Sequence, residues 1–88
     1  MPDWRDTRDH IRPIDIPRAD LARWKAAGQR LKKVASAVLV ELSDLHTDPS
    51  KKRLWRAAKA ARYAASIADE PLKTEAEALA EELEQRSV

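Results

Sequence analysis

The chain has 88 residues, no Cys, a single Gly and a formal net charge of +2, so it is one small domain with neither a disulfide framework nor a thiolate zinc site, as suits a reducing cytoplasm. No apolar run approaches the roughly 18 residues of a membrane span, and the opening Met1-Pro2-Asp3-Trp4-Arg5-Asp6 lacks the apolar segment of a secretion signal; a cytoplasmic protein without membrane contact is expected. Charge is uneven: residues 47–69 are strongly basic and residues 70–88 strongly acidic, while the lack of Asn and Phe points to a GC-rich bacterial or bacteriophage genome.

Residues 1–17 show no sustained period and contain Pro2, Pro13 and Pro17, which predicts an extended N-terminal arm. Its interleaved Asp and Arg residues keep it solvated, while Trp4, Ile11, Ile14 and Ile16 offer it something to bury. Those side chains either pack along the helices or order on a partner.

Residues 18–88 are expected to form a single all-α domain of three helices, over about 18–46, 49–69 and 71–86. Leu21, Trp24, Gly28, Leu31, Ala35, Val38, Leu42 and Leu45 recur in steps of three and four, the spacing that lines one face of a helix. Ala27, Val34 and Leu39 widen that stripe beyond a two-stranded seam. One long helix supporting two shorter ones is the expected architecture. Gly28 would make room for a neighbouring side chain, with a Trp as a candidate.

Asp48-Pro49 combines a favoured N-cap with proline at the first helical position and predicts the start of the second helix. On a wheel of 100° per residue, Leu54, Ala57, Ala61, Ala64, Ala65 and Ala68 share one side. So small a surface permits close approach, with the first helix as the expected neighbour. Glu70-Pro71 marks a third helix, with Leu72, Ala76, Leu79 and Leu83 as its seam; a kinked continuation of the second is the alternative, as is a later start capped by Thr74 and Glu77.

The opposite face of the second helix is the candidate site. Lys52, Trp55, Arg56, Lys59, Arg62 and Tyr63 lie within roughly 60° of Lys59, so two aromatic rings are interleaved with four cations. A solvated face has no need of aromatic side chains. The cations would neutralise phosphates or an acidic partner while the rings stack or fill pockets. The competing reading is that the arm or the third helix covers both rings, and that carboxylates such as Glu75 and Glu82 pair with the cations.

Catalytic chemistry has no foothold in the residue pattern. His10 and His46 have no second His three or four residues away, no Ser sits in a nucleophile motif, and one Gly cannot build a phosphate cradle. Asp6, Asp9 and His10 make only a loose cation set, and His46 near a helix C-terminus suits the helix dipole. The sequence therefore predicts a non-enzymatic protein without metal or cofactor. Its first functional reading is a protein-protein interaction module, regulatory or host-directed, acting through the basic-aromatic helix face and/or the N-terminal arm, with another protein or a second copy as partner. Its second is a nucleic-acid-binding regulator, disfavoured by the acidic C-terminal end and by a helix junction without glycine.

Overall fold

The structure, a computed structural model, describes residues 14–87. Those residues form four helices and no strand: α1 (Arg18–Leu31), α2 (Ser36–Thr47), α3 (Lys51–Ile67) and α4 (Leu72–Ser87). The arm expected over residues 1–17 falls outside the described residues up to position 13. Ile14 and Ile16 are partly buried against the core, and the Ile14 N–H donates to the Pro49 carbonyl at 2.8 Å.

The expected long helix over residues 18–46 is in fact two. After Leu31 the chain turns through residues 32–34, and Ala35 is extended, with φ −149° and ψ 104°. The turn satisfies its own backbone: Val34 and Ala35 both donate to the Leu31 carbonyl, at 2.9 and 3.0 Å. A straight helix over these 29 residues would be about 43 Å long at 1.5 Å per residue, whereas the molecule's longest extent is 41 Å. Breaking it lets the second half fold back, so Trp24 and Leu31 of α1 and Val38, Leu42 and Leu45 of α2 enter one core. Gly28 is the point of contact. A Cβ built there would stand 2.8 Å from Leu42 Cδ1 and 3.4 Å from the Leu39 Cα, so the neighbour that needs the space is α2 and not a Trp.

The predicted start of the second helix at Asp48-Pro49 also moves. Asp48 closes α2, donating its N–H to the Asp44 carbonyl at 2.8 Å, and Ser50 caps α3 by accepting from the Arg53 N–H at 3.2 Å. A serine hydroxyl at the N-cap satisfies one of the four amides that a helix start leaves unpaired. Ser50 is itself buried.

Helix α4 is separate from α3 and not its continuation. Residues 68–71 link them, the Glu70–Pro71 bond is cis, and the Glu70 carboxylate accepts from the Thr74 N–H at 2.9 Å, in place of the cap considered at Thr74 and Glu77. The small face of α3 was expected to meet the first helix, and α3 does pack on α2, the second half of that expected helix, but its most extensive packing is against α4. Ala57, Ala58, Ala61, Ala64 and Ala65 are buried there with Ala76, Leu79, Ala80 and Leu83. Alanine on both sides lets the two helices lie close together.

A row of solvent-exposed ion pairs joins α1 to α4 and sets their orientation more than their stability. Asp20 accepts from Arg86 at 2.7 Å, Arg23 binds Glu82 with one contact at 2.6 Å, and Arg30 binds Glu75. Partner numbers fall along α4 as they rise along α1, so these helices run antiparallel. Arg23, then burial acting in the opposite sense, then the Trp24 indole shape the Glu82 carboxyl, which is held below its ordinary range. Asp20 is lowered as well, chiefly by Arg23, with Arg86 assisting. Beneath this row Trp24 is 1% exposed, with the Arg86 guanidinium 5.9 Å from its ring centroid. Its buried Nε1–H makes no well-formed hydrogen bond, although Glu82 is close enough to feel it.

Candidate interaction surface on the third helix

Helix α3 carries six cations and no acid. Seating Leu54 and its alanines in the core turns the opposite side of the helix outward, because residues seven to eight positions apart repeat the same orientation. Lys52, Trp55, Arg56, Lys59, Arg62 and Tyr63 are all exposed. Trp55 keeps 52% of its accessible surface and Tyr63 60%. Helix α4 therefore does not cover the rings; it lies against the alanine face instead.

The cations divide into two sorts. Arg62, on the flank facing α4, is held by Glu84, with Nη2 at 2.6 Å and Nε at 3.1 Å from Oε1. That contact raises its pKa, and the nearby Glu81 and Glu77 add to the field against the cost of partial desolvation. Glu75 and Glu82, the carboxylates expected to meet this face, are bound to Arg30 and Arg23 of α1. On the other flank Arg53 binds Asp48 at 3.2 Å and approaches Asp44 at 3.7 Å.

Between those flanks, Lys52, Arg56 and Lys59 form no ion pair with any carboxylate among the described residues. The Lys59 ammonium instead stands 4.3 Å from the centroid of the Trp55 ring, within cation–π range. Two apolar residues escaped the sequence reading. Ile67 is exposed and extends the row Trp55, Lys59, Tyr63 by a further step of four, a signal present in the spacing. Val40 of α2 is exposed too, and nothing in its spacing sets it apart.

A concavity of about 690 Å³ lies where residues 14–16 pass α1 and the link from α2 to α3, lined by Ile14, Ile16, Leu21 and Pro49 together with Arg18, Lys25 and His46. His46 occupies the last turn of α2, where a cation complements the helix dipole. Among the described residues no three metal-ligating side chains converge. No helix among the described residues is long and apolar enough to cross a membrane.

Comparison of the chain with known protein families, with curated proteins and with solved structures finds no match.

Proposed function

We propose that this chain is a small helical interaction module, of regulatory or host-directed type, that binds an acidic protein surface through the outward face of α3. The observation that carries this reading is the half-exposed Trp55 and Tyr63 set among Lys52, Arg56 and Lys59, three cations without carboxylate partners among the described residues. Aromatic and arginine side chains are the residue types that anchor protein interfaces, since they bury large areas for few rotatable bonds. Leaving them in water on a face without acids serves no purpose in the core, which is complete beneath them. Trp55→Ala should preserve helical content and melting while abolishing capture of the protein partner, and Lys59→Glu should do the same by charge. Loss of folding in Trp55→Ala, or unchanged capture by both variants, would reject the reading.

A nucleic-acid interface is the second reading, favoured by one feature: α3 bears no acid and follows α2 after a link of only residues 48–50. Glu77, Glu81 and Glu84 beside Arg62 weigh against it, because carboxylates flanking the face repel phosphate. If DNA or RNA is the ligand, retardation in a gel will fall steeply as salt rises and vanish in Lys59→Glu.

A further inference from the structure

The surface that α3 and α4 share carries both signs of charge, and each sign keeps to its own helix. The α3 half shows Arg56 and Lys59 between the Trp55 and Tyr63 rings, with Lys52 one turn before Trp55. The α4 half shows Glu77 and Glu81, with Glu84 bound to Arg62 at the seam; Lys73 at the far end is its one exposed cation other than Arg86, which is committed to Asp20. Glu84 binds Arg62 at 2.6 Å, and Glu77 and Glu81, seven and three residues before it, share its side of α4; the charges of all three act on Arg62.

We infer that the partner of this face is a second copy of the same chain. The inference rests on the reading of α3 as a protein-binding surface and names its occupant. Two antiparallel helices of opposite charge have a simple self-complementary arrangement: a two-fold axis running along the groove between them. That rotation sets α3 of one subunit over α4 of the other and preserves the antiparallel sense that α3 and α4 already have within one chain. Each basic row then meets an acidic row twice, as an isologous contact requires. Trp55 and Tyr63 lie over the partner helix, where the exposed Ala78, about 60° round the helix from Glu81, leaves space for a ring at the margin of the acidic row. The result is a four-helix arrangement of two stacked helix pairs that the axis relates.

Charge decides between this occupant and a nucleic acid. A phosphate backbone could use the α3 cations but would be repelled by Glu77 and Glu81, whereas a second copy uses both halves of the surface. The size of the face sets the strength. Two helices of about 25 Å lying side by side present a footprint of roughly 500 Å² on each subunit, about 1,000 Å² in all, which is below the standard size of specific interfaces and gives a weak, reversible dimer. It should also be salt-sensitive, since its polar contacts are exposed.

The test is the mass of the full chain in solution by light scattering and sedimentation, from micromolar to millimolar concentration and at low and high salt. We expect the mass to climb from 10.0 kDa towards twice that value at low salt and to fall back as salt is added. Lys59→Glu and Glu81→Lys should each weaken association by at least about tenfold, as like charges then face each other. An equimolar mixture of the two variants should associate again, since one of its two symmetry-related contacts has both charges exchanged. Should either reversal lower helical content, Lys59→Gln and Glu81→Gln provide a gentler pair: each alone loses both Lys59–Glu81 contacts, and mixing restores one of the two, so the rescue is partial. A monomer at every concentration in low salt overturns the proposal, and so does a dimer indifferent to both substitutions. A monomer that still captures a protein through Trp55 ends this inference alone; a monomer retarding DNA in a Lys59-dependent way ends it in favour of nucleic acid.

Discussion

Gly28→Ala is the substitution whose sign separates the folded-back α1–α2 pair from a continuous helix. In a solvated helix the exchange stabilises by up to about 1 kcal/mol, because glycine loses more backbone freedom on folding. Here the new methyl would stand 2.8 Å from Leu42 Cδ1, while carbon atoms pack at about 3.5–4.0 Å. Leu42 Cδ1 is the end of a flexible side chain, but that side chain is buried, so it gives way only by displacing its own core neighbours. Overpacking of this kind costs about 1–3 kcal/mol, which outweighs the gain in helix propensity. A net loss of about 1 kcal/mol should lower the melting temperature by roughly 4–8 °C for a domain of this size, read by circular dichroism. Leu42→Ala removes the obstructing carbon, and in that background Gly28→Ala should turn from destabilising to stabilising. Gly28→Leu, which drives a whole side chain into α2, should cost more than either single change. A stability gain of about 1 kcal/mol from Gly28→Ala in the otherwise unaltered chain would refute the contact, since only an unobstructed Cβ returns the full propensity difference.

Trp24→Ala should cost about 3–5 kcal/mol by emptying the core, whereas Trp55→Ala should alter stability by no more than about 0.5 kcal/mol; chemical denaturation of both variants checks the contrast. Ser50→Ala should cost about 1 kcal/mol through the lost bond to the Arg53 N–H, and Ser50→Asp, which can accept the same bond, should recover part of it. Acid should weaken the α1–α4 row. Asp20 and Glu82 have folded-state pKa values below their ordinary 3.8 and 4.5, so their stabilising effect is complete above those values and is lost as pH falls through them towards the lower folded-state values. Melting temperature followed from pH 6 downwards should decline below about pH 5, less so in Asp20→Asn combined with Glu82→Gln, and an unchanged slope in that double variant would reject the linkage.

The inward-facing residues were legible in the sequence because facing is a local property. Steps of three and four marked Trp24, Leu31, Val38, Leu42 and Leu45, and all are buried; the wheel of the third helix separated Leu54, Ala57, Ala61 and Ala64 from Lys52, Trp55, Lys59 and Tyr63, and the first set is buried while the second is exposed. The candidate site could be listed from spacing alone for the same reason. What spacing could not provide was whether α4 would cover the rings, since that depends on where another helix finds its best packing.

Tertiary structure made the remaining choices. A stripe with a mean step near 3.5 reads the same on a straight helix as on two helices joined by a short turn, so residues 32–35 carry no strong local mark of the break. The chain bends there because folding back buries Val38, Leu42 and Leu45 against residues far along the chain, a gain that no window of the sequence contains. Likewise either Asp48 or Ser50 is an acceptable cap, and the length of α2 decided for Ser50. The acids of α4 had two sets of arginines within the chain to choose from. Antiparallel packing placed Glu75 and Glu82 beside α1, leaving Lys52, Arg56 and Lys59 of α3 without carboxylate partners among the described residues. Local periodicity thus determined which side chains face the core, whereas the pairing of helices, a sum over distant contacts, determined which charges and rings remained outside.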